Sequence, residues 1–448
     1  MEIKISDSFN YRKLMRFTLP SIAMMIFTSI YGVVDGFFVS QFAGKTAFAA
    51  VNFIMPYLMI LGTVGFMFGA GGSALVAKTM GEGDKERANR IFSLIVYTSI
   101  GMGVFLSVAG FILLRPVAIL LGAEGEMLEM CIRYGRIVLP ALPFFTLQME
   151  FQSFFITAEK PKLGLFVTLA SGITNMVLDA LLVGLLPSEI KLEAAAFATA
   201  ASQTVGGIIP IIYFSRRNTS LLRFTKTNFN GKALLKTVTN GSSELMNNIS
   251  LSIVSMLYNI QLLKYAGEDG VAAYGVLMYV CFIFIAVFIG YAVGSAPIIG
   301  YHYGAQNKRE LNGILKKSCV IIGVTSVMMA GLSLLLAGPM SRLYVGYDAE
   351  LCALTQRGFY VYSISFLFSG FAIYGSSFFT ALNDGITSAA ISFMRTLIFQ
   401  VAAVLVLPIF LGVDGIWLSG VASEILAVVF VLFFILLKNK KYGYLNPS

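Results

Sequence analysis

The chain has 448 residues, 57% of them hydrophobic and only 12% charged, a balance that no ordinary water-soluble domain carries. Its formal net charge is +9, but the basic residues are scattered through short segments between apolar runs, which argues against a nucleic-acid surface. Composition therefore excludes soluble enzymes and nucleic-acid binders and leaves an integral membrane protein.

Polar and basic residues (Lys4, Arg12, Lys13, Arg16) fill the first sixteen positions and lead straight into a full-length apolar run. That is not a short apolar core with a cleavage site, so no cleavable signal is expected. Twelve apolar runs follow in chain order: 17–39, 49–77, 91–114, 136–158, 163–186, 194–214, 241–263, 271–301, 318–337, 357–381, 387–411 and 415–437. Each approaches the roughly 20 residues that span a bilayer as helix. Transmembrane strands alternate in polarity and stay near ten residues, so these runs are predicted to be helices.

With the N-terminus inside, the outer segments hold only Lys45, Arg115, Arg133, Arg136, Lys191, Lys264, Arg342 and Arg357 of the 32 Lys and Arg. The inner segments hold three times as many. This bias in short loops predicts both termini in the cytoplasm of a multi-pass plasma-membrane protein. Cys131, Cys281, Cys319 and Cys352 have no paired spacing and read as small apolar residues. The single His302 cannot build a histidine metal site.

Part of the chain is said twice. Gly81-Glu-Gly-Asp-Lys-Glu-Arg-Ala-Asn89 returns as Gly304-Ala-Gln-Asn-Lys-Arg-Glu-Leu-Asn312, and Ala43-Gly44 returns as Ala266-Gly267. Both 304 − 81 and 267 − 44 give 223, half the chain. The repeated loops follow spans two and eight, an even number of crossings apart, so the two halves run parallel about an axis along the membrane normal. The predicted fold is an all-α integral membrane protein with twelve transmembrane helices in two parallel six-helix lobes. The lobes occupy 1–214 and 241–448, joined by a basic linker over 215–240 that holds Arg216, Arg217, Arg223, Lys226, Lys232 and Lys236. A path for cargo is expected between the lobes, and two fused lobes make a monomer sufficient. Membrane lipid is the other expected partner.

Charge inside a bilayer is expensive, about 2.5–3.5 kcal/mol on insertion scales. Asp35, Glu150, Asp179, Glu244 and Glu424 nevertheless fall inside predicted spans. No Lys or Arg is expected deep enough to pair with them, Arg395 being the nearest candidate. Unpaired buried carboxylates can be neutral and exchange protons. Asn175 and Asp179 are four apart and share one face of span five, Asp35 lies in span one, and Thr199 opens span six. Two carboxylates, an amide and a hydroxyl suit Na⁺ or a shared proton, unless Asn175 and Thr199 merely bond backbone carbonyls. Pro20 removes a helical hydrogen bond and permits span one to bend. Across the repeat, Pro20 corresponds to Glu244 and Asp35 to Asn259, so the lobes divide their labour. Glu244 and Glu150 are candidates for an acid serving the second lobe or the cargo; the alternatives are a solvated helix-start role for Glu244 and, for Glu150, a buried neutral acid with no obvious partner.

These residues resemble the multidrug and toxic compound extrusion family of secondary transporters, in particular the bacterial branch that includes the staphylococcal-type multidrug exporters. The matching stretches are Leu19-Pro20 and Asp35, Gly81-Glu-Gly-Asp84, Glu159-Lys-Pro-Lys162, Asn175-Met-Val-Leu-Asp179, Ala194 to Thr199, Ser243-Glu244 and Pro297-Ile-Ile-Gly-Tyr-His-Tyr-Gly-Ala305. The resemblance covers essentially the whole chain. It implies a V-shaped cavity, alternating access, and export of amphipathic or cationic compounds driven by H⁺ or Na⁺, with no other cofactor. It further implies a first-lobe cation site at Asp35, Asn175, Asp179 and Thr199, with Asp35, Asn175 and Asp179 as metal ligands if the ion is Na⁺. Pro20 would be the hinge and Glu244 a second-lobe acid. One departure is that 358–381 holds no acid, whereas some members carry one in span ten. A lipid-linked precursor flippase is the rival within transport. An integral membrane enzyme is disfavoured, with one His and no nucleophile motif.

Overall fold

The computed structural model describes residues 3–38, 45–187 and 190–445, without the side chains of 32, 33, 35–38, 45, 46, 48 and 49. Helices dominate: α1 (Tyr11–Phe38), α2 (Lys45–Gly81), α3 (Lys85–Leu121), α4 (Gly125–Val138), α5 (Leu142–Thr157), α6 (Pro161–Leu178) and α7 (Lys191–Ser215), then α8 (Gly231–Gly304), α9 (Lys308–Val345), α10 (Ala349–Tyr362), α11 (Phe366–Ala381), α12 (Gly385–Phe393), α13 (Gln400–Leu411) and α14 (Val413–Tyr442). Among the described residues there is no strand. At 1.5 Å per residue the 74 residues of α8 would reach about 110 Å if straight. Instead the chain reverses at Gly267 (φ 64°, ψ −155°), a backbone conformation that only glycine adopts without strain. Counting α8 as two crossings, and α4–α5, α6 with its following turn, α10–α11 and α12–α13 as one each, gives the twelve spans expected.

Residues 216–230 are non-helical, and α8 begins at Gly231, capped by Asn230, whose side chain accepts from the Ala233 amide at 3.1 Å. The last ten residues of the sequence-predicted linker therefore already belong to the seventh span. Polarity misled there, because Lys232 and Lys236 lie on a helix end that clears the membrane.

Backbone detail repeats with the same offset as the sequence. Asp84 caps α3 on the Arg87 amide (2.9 Å) and Asn307 caps α9 on the Glu310 amide (3.1 Å). Gly83 and Gln306 both take positive φ just before those caps, as do Glu159 and Asn383 before α6 and α12. Short 3₁₀ turns interrupt span four at Leu139–Ala141 and span ten at Ser363–Ser365. Pro140 and Pro143 account for the first. In the second, Ser363 Oγ donates to the Phe359 carbonyl at 2.5 Å, a local side-chain bond that competes with the helix. Spans five and eleven each carry a π turn, Asp179–Val183 and Met394–Phe399, but these lie 215 residues apart (394 − 179) and so do not share the offset.

The apolar core divides unequally. One cluster contains residues of both lobes, including Met67, Phe92 and Phe151 with Ile298, Phe378 and Tyr444. A second lies wholly within the first lobe (Ala47, Leu139, Val183, Ala195) and a third wholly within the second (Val254, Leu277, Phe359, Trp417). The lobes are thus fused at the end that carries both termini and separate towards the other. Glycines permit the fusion. A Cβ on Gly241 would stand 1.9 Å from the Met67 carbonyl, and one on Gly71 would stand 2.0 Å from that of Thr237. The Gly81–Tyr301 and Gly304–Lys78 contacts are equally close, and each is the other's repeat.

The N-terminal arm closes this end. Its Ile5 amide donates to Glu159 Oε1 of the first lobe (2.7 Å), and its Phe9 amide donates to Glu310 Oε1 of the second (2.7 Å). Lys317 Nζ donates to the Phe9 carbonyl at 2.5 Å. Burial pushes the Glu159 carboxyl above its ordinary value despite the Ile5 bond and the nearby Lys4. The C-terminal segment is pinned likewise, Asn312 Nδ2 donating to the Tyr444 carbonyl at 2.7 Å. Around the waist, large apolar side chains such as Phe105, Ile112, Leu335, Phe410 and Leu436 are exposed, as a lipid-facing belt requires.

Candidate functional site

Lys160-Pro161 starts α6, with proline at the position where a missing N–H costs nothing. Val167, Thr168, Ser171, Gly172 and Asn175 form its buried face. Asp179, fully buried, opens the π turn that follows. Such single wide turns recur at functional sites because they redirect a side chain without breaking the helix. Asn175 is 1% exposed, so amide and carboxyl share one buried stripe. Thr199 stands on α7, which packs against α6 and against the Asp179 turn. The Thr199 carbonyl accepts from Ser202 Oγ at 2.9 Å, while the Thr199 hydroxyl is buried with no hydrogen-bond partner among the described residues. Among the described residues that hydroxyl therefore does not bond a backbone carbonyl.

Helix α1 runs along α6 and the Asp179 turn. A Cβ on Gly172 would stand 2.5 Å from the Phe27 ring and 3.4 Å from that of Tyr31. Residue 35 lies one turn beyond Tyr31, about 6 Å further along α1, at the level of residue 176 on the parallel helix α6. The backbone of α1 thus brings position 35 beside the Asn175–Asp179 stripe. The Asp35 side chain lies outside the described residues. Pro20 is interior to an unbroken α1, beside Ser21 and Ile22, where Gly290 approaches to within 2.5 Å of Ile22 Cα by its notional Cβ.

In the second lobe, the first half of α8 shows three faces. Ser243, Ser250, Val254 and Tyr258 are buried; Ile253, Met256, Ile260 and Leu263 are exposed and apolar. Between them runs a stripe that is partly or fully exposed yet polar: Glu244, Asn248, Ser252, Ser255 and Asn259. Polar groups do not face lipid tails, so this stripe faces the cleft between the lobes. Glu244 stands at its foot, one turn above Gly241, where the lobes meet. Since α8 starts at Gly231, Glu244 is not a helix-start acid.

Glu150 and Glu424 differ from Glu244, and for Glu424 the sequence expectation needs correction. Glu150, on α5 of the first lobe, is 0% exposed, and this burial favours the alternative of a buried acid over a cargo-facing one. The Gly69 backbone packs against its Cα. Glu424 was expected to lack a cation deep enough to pair with it. Instead Arg395 Nη2 donates to its Oε1 at 2.7 Å and Nε to its Oε2 at 3.0 Å, with both side chains largely buried. Arg395 sits on the π turn of span eleven, which aims it across at α14, and sequence periodicity carries no signal of such a turn. Among the described residues no cluster of three His, Cys, Asp or Glu is placed to hold a metal, and the four cysteines are free thiols.

Fold and site together define a multi-pass, all-helical membrane protein of two repeated lobes with buried carboxylates. Comparison with known proteins narrows this. The MatE family model matches residues 20–181 and again 245–406, two copies 225 residues apart (245 − 20). The chain belongs to the MatE family, the multidrug and toxic compound extrusion family that its motifs resemble. Among curated relatives it is 25% identical over 372 residues to the multidrug export protein MepA of Staphylococcus haemolyticus (strain JCSC1435), covering 81% of each chain. To MepA of Staphylococcus aureus (strain NCTC 8325) it is 22% identical over 432 residues, covering 96% of this chain and 94% of the relative. Among solved structures, MATE in complex with MaL6 superposes with a TM-score of 0.90 at 20% identity over 98% of both chains. An outward-facing multidrug resistance MATE family transporter of the MOP superfamily gives 0.88, also at 20% and 98% of both. At that identity the likeness shows the fold alone.

Proposed function

We propose that this protein is a secondary active antiporter that exports amphipathic or cationic small molecules in exchange for inward-moving H⁺ or Na⁺. The observation that carries this reading is the division of the core. The lobes share one core at the terminal end and separate elsewhere, leaving a cleft walled by the Glu244–Asn259 stripe. We read the terminal end as cytoplasmic from the distribution of Lys and Arg, which makes this conformation open to the outside. The MepA relatives, named as multidrug export proteins, support small-molecule cargo.

Asp35, Asn175, Asp179 and Thr199 form the cation site of the first lobe, residues 1–214. Glu244 is the cargo-facing acid of the second lobe, residues 241–448, and Pro20 lets α1 bend. Cargo and cation need only compete for the same outward-open state, directly or through α1. One charge crossing about 100 mV is worth about 2.3 kcal/mol, and tenfold accumulation costs about 1.4 kcal/mol. One inward charge therefore sustains about a forty-fold gradient of neutral cargo. A monovalent cation needs the ion's concentration gradient or a second ion as well.

The flippase alternative wants cations in the cleft for a pyrophosphate head group. The α8 stripe carries an acid, and Arg395 is already tied to Glu424, so drug export is the better reading. Ethidium binding to purified protein tests it. Lowering pH or adding Na⁺ should displace the dye, and Asp179→Asn should remove that dependence. Dye affinity that ignores both ions would contradict the reading.

A further inference from the structure

Below the cation site, polar side chains continue towards the terminal end along three packed helices, α5, α6 and α7. On α6, Thr168 and Ser171 extend the Asp179–Asn175 stripe at helical spacing, each about 1% exposed. On α7, Thr199, Ser202 and Gln203 share one face, and on α5 Gln148 and Gln152 are 3% and 4% exposed. One bridge crosses this ladder. Gln148 Nε2 donates to Ser171 Oγ at 3.1 Å, and Ser171 Oγ donates to the Ser202 carbonyl at 2.8 Å. The position of Gly206 confirms the approach of α5 to α7, since a Cβ there would stand 2.5 Å from Gln148 Cδ.

The ladder is not satisfied by protein. Gln148 Oε1, Gln152 Nε2, Thr199 Oγ1 and Gln203 Oε1 are buried without hydrogen-bond partners among the described residues. Buried polar atoms left so by protein are met by water or an ion. Gln152 lies five residues from the end of α5 at Thr157, about 7.5 Å. There the rings of Phe151, Phe155 and Phe214 close the bundle, with centroids 5.4–5.5 Å apart about Phe214. A six-helix lobe does not need such a ladder. At the repeat-related positions of α5 and α6 the second lobe has Ala372, Ser376, Ser392, Arg395, Phe399 and Ala403. Ser376 there is bonded to Ser388 and Ser392, and Arg395 to Glu424, within a network of protein partners.

We infer that the ladder is the inner release path of the coupling cation, with the Gln148–Ser171–Ser202 bridge as its latch and the phenylalanine cluster as its stopper. The inference rests on the antiporter reading and adds to it a route within the first lobe, separate from the cleft the cargo uses. Glutamine amides and serine hydroxyls orient waters along which Na⁺ passes with its shell exchanged, or a proton passes from water to water. No covalent bond is made or broken. In the outward-open state the bridge holds the Ser171 hydrogen on a backbone carbonyl, which keeps the path from leaking. Separation of the lobes at the terminal end relaxes α5 against α7 and frees it.

Gln148→Leu and Gln152→Leu test this in proteoliposomes under a pH gradient and, separately, a Na⁺ gradient. Leucine nearly keeps the volume and removes a buried group with an unmet atom, so the melting midpoint of Gln152→Leu should hold or rise. Ethidium binding should also be unchanged, while export driven by the wild type's gradient should fall at least tenfold in both variants. Gln152→Asn should keep most of it. Wild-type export rates in the leucine variants would overturn the inference. So would loss of midpoint or binding in step with export, the mark of a merely structural ladder. A wild type that exports under neither gradient would refute the antiporter reading itself, and the release path with it.

Discussion

Arg395 and Glu424 show what a single buried charge requires. Their fork of hydrogen bonds offsets desolvation only while both partners remain, since removing one leaves an uncompensated charge that typically costs about 3–5 kcal/mol. Glu424→Gln should therefore lower the melting midpoint of purified protein sharply, and Arg395→Met with Glu424→Met should restore most of it. A single variant that melts like the wild type would show the pair to be dispensable. Glu244, partly exposed at the foot of the polar stripe, has another task in the antiporter we propose. Glu244→Gln should raise the KM for a cationic dye about tenfold, a loss of about 1.4 kcal/mol, and leave a neutral cargo nearly unaffected. The acids were legible in the sequence because charge in an apolar run is conspicuous. What separated them was not. Glu424 is neutralised by a residue 29 positions away, Glu150 is sealed inside the first lobe, and Glu244 alone meets the cleft. Burial and pairing are tertiary facts, and no spacing rule distinguishes the three. Gln148 and Gln152 escaped notice for a related reason, being uncharged residues whose unmet atoms appear only once α6 and α7 pack on α5.

At the scale of elements, hydropathy located all twelve crossings, because bilayer thickness fixes the length of every one. It blurred the ends. Lys232 and Lys236 suggested linker where Asn230 already caps a helix. It also missed the π turns at Asp179 and Met394, since one extra residue in a turn barely disturbs an apolar pattern. Close crossings were half visible in the sequence, where Gly290 and Gly294 stand four apart, a spacing that lets helices approach closely. Gly290 and Gly294 indeed meet α1, but Gly71 against Thr237 and Gly304 against Lys78 had no such signature. These crossings carry a prediction. A methyl on Gly304 would stand 2.0 Å from the Lys78 carbonyl, so Gly304→Ala should prise α2 from the end of α8. Ala77 is fully buried beside this crossing. An Ala77→Cys reporter should react faster with a maleimide in the Gly304→Ala background than alone, and equal rates would argue that the crossing tolerates the methyl.

Over the whole molecule, duplication is written into caps, positive-φ positions and 3₁₀ turns as well as into sequence, and function lies where the copies differ. The first lobe keeps Asn175, Asp179 and the ladder beneath them; the second keeps the polar stripe and the sealed ion pair. The terminal end holds the copies together through the N-terminal arm and the glycine crossings, and within the second lobe it is pinned by Asp384. Burial pushes the Asp384 carboxyl up, but bonds from Tyr442 and Thr387 and the Lys438 ammonium outweigh it and leave it below its ordinary value. A depressed folded-state pKa contributes stability above the ordinary carboxylate range, and that stability is lost as pH falls through the folded value. Asp384→Asn should accordingly lower the midpoint at neutral pH and flatten its fall in acid, whereas an unchanged acid limb would remove Asp384 from the account.

The central claim is that a cation entering the first lobe drives cargo out through the cleft. Ethidium efflux from proteoliposomes under an imposed pH gradient or Na⁺ gradient, wild type beside Asp35→Asn, tests it most directly. The account predicts efflux driven by one of the two gradients and abolished in a variant that still melts as the wild type does. Undiminished gradient-driven efflux in Asp35→Asn would contradict it.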